Sequence, residues 1–242
     1  MAGLTEVKRL TVLLVDDHPI VREGLARLVR RQEHMVVAGE VGSVGMARQW
    51  LATNQPELVL IDLLLPDGCG LAFTKELISS YPEVRILVVS QCDELLYAER
   101  ALKSGAHGFV MKDRDVNELM TAIRQVAAGD FYVSPKINAL ALRQLVAGKS
   151  VLESGGVENL TDRELQVLQM LGVGLKTRQV AERLNLSVKT VETHRENIKH
   201  KLNIPDALGL IRFAAHWVEG QGRGNVNNNS ISELNQVASV RL

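Results

Sequence analysis

Five short apolar runs constrain this chain more than any other feature of its sequence. They are Leu10 to Val15, Met35 to Gly39, Leu58 to Ile61, Arg85 to Val89 and Gly108 to Met111. Each is short, rich in aliphatic and β-branched residues, and bounded by polar, Gly or Pro residues, a pattern that favours strand over buried helix. A run that is apolar throughout has no face to give to water. Such strands belong to a sheet covered on both sides, which means parallel strands joined by crossover helices. Helical periodicity fills the gaps, over roughly 19–32, 43–53, 70–80, 93–104 and 115–129. Five strand–helix units in succession predict a doubly wound sheet, in which ligands bind at the carboxyl ends of the strands.

The remainder of the chain reads differently. Residues 134–149 form a helical pattern opened by Ser134-Pro135, and 150–159 are turn-rich around Gly155-Gly156, the best boundary between domains. Four helical patterns follow, at about 161–171, 176–184, 187–202 and 205–218. The end, from Gly220, is Gly-, Asn- and Ser-rich, with little apolar periodicity, and is expected to be a mobile tail. The fold class is therefore α/β plus all-α: a flavodoxin-like (βα)5 domain over 8–131, a helical linker over 132–156, a four-helix domain over 157–219, and a tail over 220–242.

Composition narrows the setting. No apolar run approaches the ~20 residues a membrane span requires, and the first ten residues lack the order of a secretion signal. Two cysteines, Cys69 and Cys92, cannot build a disulfide framework or a four-ligand zinc site, which points to a reducing cytoplasm. The 28 basic residues balance the 28 acidic ones, and zero net charge argues at first against nucleic acid. The balance is uneven: residues 1–135 hold 14 basic and 18 acidic side chains, whereas residues 160–219 hold 9 and 7, with three of the six His. An acidic front cancels a mildly basic back.

Five polar residues stand where the strands end. Asp16 and Asp17 follow the first strand, Asp62 the third, Ser90 the fourth and Lys112 the fifth. Neighbouring parallel strands are ~4.8 Å apart, so these side chains converge at one sheet edge. Three clustered carboxylates repel one another unless a cation neutralises them, and hard oxygen ligands suit Mg2+ better than zinc. A lysine and a hydroxyl beside them can hold an anion. The set fits an aspartate that accepts a phosphoryl group, with Mg2+ and Lys⁺ sharing the developing charge. One Asp after a strand is a commonplace of loops; five such residues in register are not.

These residues, with Asp62 in LIDLLLPDGCGL and Lys112 in SGAHGFVMK, resemble the receiver domain of bacterial two-component response regulators over about residues 10–130. The resemblance implies that Asp62 is the phosphoacceptor. It implies that Asp17, Asp62 and the backbone carbonyl of Leu64 ligate Mg2+ directly and Asp16 through water. It further implies that Lys112 contacts the phosphoryl oxygens, that Ser90 swings toward them, and that Phe109 follows inward as the switch aromatic. Asp113 departs from the proline that many receivers carry after the lysine. Leu64 and Cys92 stand where other receivers often carry polar residues, flanking the line of attack by water on an acyl phosphate. Neither offers that water a strong hydrogen-bonding handle, so a long-lived phosphoryl state is expected.

In the helical domain, Thr161 followed by Glu164 makes a capping box, Gly172 and Gly174 break the first helix, and Ser187 caps the longest. Two helices joined by a short turn suggest helix-turn-helix. At 100° per residue, counted from Val188, Val191, Ile198 and Leu202 share one stripe of helix 188–202. Lys189, Thr193, Glu196, Asn197 and His200 occupy the opposite face. Arg195 falls inside the apolar arc, where a packed stem would carry its guanidinium out to a phosphate or carboxylate.

LTDRELQVL and TRQVAERLNLSVKTVETHRENIKHKL resemble the four-helix LuxR-type DNA-binding domain, and the whole of about 10–218 resembles NarL/FixJ-type response regulators. The resemblance implies that helix 187–202 enters the major groove and that helix 205–218 serves dimerisation. By family position, Glu192, Thr193 and Glu196 read bases, with Lys189 and Asn197 on the same face; Glu can accept from cytosine N4. Lys176, Thr177, Arg178, Arg195, Lys199 and Lys201 are expected at DNA phosphates. The implied partners are a sensor histidine kinase, double-stranded promoter DNA, a second copy of the chain and RNA polymerase, with no membrane. Two other classes fit the sequence less well: a Mg2+-dependent phosphohydrolase, which should carry a second acid/base where LLLPDG stands, and an unphosphorylated scaffold, which would not need all five pocket residues.

Overall fold

A computed structural model describes residues 9–147 and 156–222. The chain divides into two compact units, with the break at Val146 and Ala147.

In the first unit the five expected strands form one parallel sheet: β1 (Leu10–Val15), β2 (Met35–Val41), β3 (Leu58–Ile61), β6 (Arg85–Ser90) and β7 (Gly108–Met111). Their order is β2-β1-β3-β6-β7, the flavodoxin-like arrangement, which reverses direction of travel beside β1 and β3. The central β3 is buried throughout, as its unbroken apolar run requires. β2 lies at the sheet edge, and its burial alternates, with Val36 37% exposed. Covering helices are α1 (Pro19–Arg30), α2 (Val44–Leu51), α3 (Gly70–Ser80), α4 (Glu94–Lys103) and α5 (Val116–Ala128). The core of Val12, Leu14, Leu58, Leu60, Leu87, Val89, Ala122 and Ile123 is closed to solvent. Each such Val, Leu or Ile contributes roughly 1.5–3 kcal/mol.

Two features escape sequence periodicity. A hairpin, β4 (Leu64–Leu65) and β5 (Gly68–Cys69), turns the chain immediately after Asp62. Beyond α5 the chain returns to the sheet edge, where Tyr132 bridges Gly108 and its carbonyl accepts from the Phe109 N–H at 3.0 Å. Helix α6 (Pro135–Ala147) follows.

The second unit contains a short 3-10 turn (Val157–Asn159) and four helices: α7 (Asp162–Gly172), α8 (Thr177–Arg183), α9 (Val188–Leu202) and α10 (Ala207–Gly222). Leu165, Leu168, Val180, Val191, Ile198, Leu210 and Ala214 form its core. A Cβ on Gly172 would come within 2.4 Å of the Ala214 carbonyl, so α7 and α10 cross where only glycine fits. α10 extends to Gly222, past the expected start of the tail; residues 223–242 lie outside the described residues, as do 148–155 of the expected linker. Among the described residues no helix is long and apolar enough to cross a membrane.

Candidate functional site

The sheet delivers its polar strand ends to one place. The Asp62 N–H donates to Val15 O at 2.9 Å, the Asp16 N–H to Val41 O at 3.1 Å, and the Lys112 N–H to Ser90 O at 2.9 Å. These ladder bonds carry the strand register one residue past each strand, so the side chains emerge together. The Lys112 ammonium, 5% exposed, lies 2.7 Å from Asp62 Oδ2 and 2.6 Å from Asp16 Oδ2. Asp62 Oδ1 accepts from Ser90 Oγ and from the Leu63 N–H, each at 2.7 Å. Asp16 Oδ1 accepts from the His18 N–H at 2.8 Å. Ser90 thus already reaches Asp62, and Phe109 is already buried at 1% exposure.

The electrostatics follow from burial. Asp16 and Asp62 are 1% and 3% exposed. Burial alone would lower the Lys112 ammonium, but the charges of Asp62 and Asp16 outweigh it and hold the pKa above its ordinary value. One ammonium against three carboxylates leaves an excess of negative charge in a poorly solvated place, which a dication relieves. One ligand atom from each of Asp16, Asp17, His18 and Asp62 can be chosen so that all lie within 4.8 Å of one another. Hard carboxylate oxygens at that spacing fit Mg2+. Burial pushes the Cys92 thiol up to about 12, so it is a neutral wall to the pocket.

Several supporting residues were not singled out from sequence. Asp67, in the β4–β5 turn, accepts from the Val44 N–H at 2.8 Å and the Gly45 N–H at 2.7 Å, capping α2 and anchoring the segment that holds Leu64. The Pro-Asp-Gly run at 66–68 is turn chemistry from which the turn, though not this cap, could have been found. A Cβ on Gly70 would stand 2.2 Å from the Asp62 carbonyl, so α3 starts against the Asp62 backbone only because residue 70 has no side chain. His18 Nδ1 lies 2.7 Å from Asp17 Oδ1 and 3.5 Å from Asp16 Oδ1.

In the second unit the capping box forms as expected: the Glu164 N–H donates to Thr161 Oγ1 and the Thr161 N–H to Glu164 Oε2, at 3.3 and 2.8 Å. Asn185, at φ 49°, makes the turn between α8 and α9. The buried residues of α9 are Val191, Ile198 and Leu202, the expected stripe; Val188 is 43% exposed. Lys189, Glu192, Thr193, Glu196 and Asn197 are all exposed on α9.

The expected phosphate-binding cations are differently engaged. Arg195 is half-buried, and its guanidinium donates to Thr177 Oγ1 at 2.6 Å, a neutral hydroxyl rather than a carboxylate. Lys199 pairs with Glu196 at 2.9 Å and Arg178 with Glu182 at 3.2 Å. Lys201 closes at 2.7 Å on the buried Glu164, so it also ties α9 to the cap of α7. Burial raises the Glu164 carboxyl, but Lys201 and Thr161 overcome this and hold it below the ordinary range. Lys176 is exposed at the start of α8.

Comparison with known proteins agrees with both units. Residues 12–124 match the response regulator receiver domain, and residues 158–214 match the bacterial regulatory proteins of the luxR family. The chain is 31% identical over 207 residues to the oxygen regulatory protein NreC of Staphylococcus carnosus, covering 84% of this chain and 95% of that protein. It is 33% identical over 214 residues to the transcriptional regulatory protein MctR of Rhizobium johnstonii, covering 87% and 95%. A solved structure of RcsB from Salmonella enterica serovar Typhimurium, bound to promoter P1flhDC in the presence of the phosphomimetic BeF3-, matches with a TM-score of 0.61 at 22% identity, over 86% of this chain and all of that one. The fold and the pocket define a receiver joined to a helix-turn-helix domain. The chain belongs to the NarL/FixJ-type two-component response regulators, a family of regulators rather than enzymes. Receiver domains generally bind Mg2+ at an acidic pocket, and the residues present here fit that ion.

Proposed function

We propose that the chain is a transcription regulator switched by phosphorylation of Asp62. The observation that carries this reading is the convergence of Lys112 and Ser90 on opposite oxygens of a buried carboxylate, beside Asp16 and Asp17. A carboxylate oxygen of Asp62 bonds to phosphorus as the bond from phosphorus to the donor breaks, and the donor leaves with that electron pair. Lys112 follows the negative charge onto the phosphoryl oxygens. Ser90 donates a hydrogen bond from its hydroxyl to the same group, and the Leu63 N–H holds the Asp62 carboxylate in place. Asp17, Asp62 and the Leu64 carbonyl would hold Mg2+, with Asp16 through water, and the ion would supply charge neutralisation at the transferring group.

The donor is a sensor histidine kinase, in the cytoplasm. Phosphorylation favours a form that dimerises through α10, whose Leu208 and Ile211 are 57% and 43% exposed. α9 then enters the major groove of promoter DNA, with Lys189, Glu192, Thr193, Glu196 and Asn197 toward the bases. Lys176, Thr177, Arg178, Arg195, Lys199 and Lys201 face phosphates, and RNA polymerase is the further partner. In the NarL/FixJ frame, 8–131 receives the phosphoryl group, 132–156 links, and 157–219 binds DNA.

Incubation of the full chain with acetyl phosphate and Mg2+ tests the first step. Mass spectrometry is expected to find one added phosphoryl group on Asp62 and none on Asp62→Ala; a label elsewhere overturns the assignment. The acyl phosphate is expected to be long-lived, because Leu64 and Cys92 give water no strong hydrogen-bonding handle. Leu64→Asn should shorten its lifetime, and an unchanged decay rate would refute that point.

A further inference from the structure

The carboxylates account for Mg2+, but an imidazole nitrogen stands among them. His18 Nδ1 stands 2.7 Å from Asp17 Oδ1 and 3.5 Å from Asp16 Oδ1, so this nitrogen faces the same space as the acidic oxygens. Two backbone features hold it there. Its own N–H donates to Asp16 Oδ1 at 2.8 Å, and it is the N-cap residue of α1, with Pro19 next to it. A ligand atom of His18 is among the set that clusters within 4.8 Å, so one ion can touch both the imidazole and the carboxylates. Lys112 lies against Asp16 and Asp62 in the same pocket, at 2.6 and 2.7 Å.

We infer that His18 is a metal-selecting ligand: with Asp17 and Asp62 it lets the pocket take a first-row transition dication such as Co2+ or Ni2+ through nitrogen, in addition to Mg2+ through oxygen. The chemistry of the two donor types carries the distinction. Carboxylate, carbonyl and water suit Mg2+, whereas imidazole suits Ni2+, Cu2+ and Zn2+, and affinity at mixed N/O sites rises across the first row toward copper. Mg2+ keeps several waters and gains little from imidazole, so His18 leaves Mg2+ binding nearly untouched. The inference rests on the pocket being the cation site proposed above.

The test is calorimetric titration of the untagged full chain with MgCl2, CoCl2 and NiCl2, beside His18→Ala, His18→Asn and Asp62→Asn, with the visible absorption of bound Co2+ as a second readout. Both His18 variants should lose at least about tenfold in Co2+ and Ni2+ affinity, alter the Co2+ spectrum, and keep Mg2+ affinity within about twofold. Retained Mg2+ binding itself certifies that the variants are folded. A shift of all three metals by one common factor would make His18 only a positioning residue for Asp17 and overturn the inference. Tighter binding of all three would do the same, making His18 a counter-charge that metals displace; so would no change. Asp62→Asn separates this result from the underlying reading. If it binds all three metals as the wild type does, the pocket is not the site, and binding belongs to other histidines such as His34, His200 or His216.

Discussion

The two working surfaces of this molecule are built on opposite principles. In the pocket, Asp16, Asp62, Ser90 and the Lys112 side chain are at most 5% exposed, and each is held by at least one bond at 2.6–2.8 Å. On α9, Lys189, Glu192, Thr193, Glu196 and Asn197 are exposed, and the helix is held by Val191, Ile198 and Leu202 on its other side. In the pocket the atoms proposed to act are also structural atoms; on α9 the two sets are separate. The lesson is one of coupling. A change at the pocket must alter stability and chemistry together, whereas a change on the outer face of α9 can alter binding alone.

The sharpest way to break this contrast is Lys112→Met. It leaves two buried carboxylates without their cation, and removal of one partner of a buried ion pair typically costs about 3–5 kcal/mol. Urea unfolding should show a loss of that order, partly restored by MgCl2; a loss under about 1 kcal/mol would mean the pocket charges are not a structural unit. Gly70→Ala comes next. Its Cβ would drive α3 from the Asp62 backbone, a strain of about 1–3 kcal/mol, and it should slow phosphorylation although residue 70 has no side chain to react. Lys201→Met should destabilise the second unit by about 1 kcal/mol, a modest figure because the lysine is a third exposed, whereas a residue used only for DNA would cost nothing.

Glu192→Ala and Thr193→Ala should leave stability within about 0.5 kcal/mol while changing the preferred base at one position, read by binding-site selection. An equally large unfolding effect there would erase the distinction between the two surfaces. The smallest effect concerns pH. Burial lowers the His194 pKa below its ordinary 6.5, so the unfolded chain takes up that proton first as pH falls. The stability His194 contributes is therefore complete above about pH 6.5 and is lost as pH falls toward the lower folded value. Thermal unfolding of residues 156–222 within the full chain should show this, and His194→Gln should flatten it.

How much was legible in the sequence divides along the same line. β1, β3 and β7 have the residue ranges that their apolar runs suggested, because a strand buried on both faces changes abruptly from apolar to polar at its end. That abrupt change is also why the Asp16, Asp17, Asp62, Ser90 and Lys112 cluster could be foreseen. The stripe of α9 was legible for the related reason that helical periodicity reports burial. What was not legible depends on pairs far apart in the chain. Asp67 caps α2 from 22 and 23 residues away, and Lys201 reaches Glu164 across 37. Gly70 is demanded by a close approach that no local pattern announces, and strands of two residues, as in β4 and β5, fall below any periodicity. Arg195 falls in the apolar arc of α9 by periodicity, but its partner, Thr177, lies 18 residues before it on another helix. The zero net charge that seemed to oppose nucleic acid is likewise a sum over an acidic pocket unit and a slightly basic helical one.

The central claim is that chemistry at the buried Asp62 controls what the exposed α9 does. Genome-wide footprinting of the full chain, with and without acetyl phosphate and Mg2+, beside Asp62→Ala, tests it most directly. The account predicts that the phosphodonor raises occupancy at a defined set of promoters for the wild type and leaves Asp62→Ala unchanged. Identical footprints for the two proteins in both conditions would contradict it.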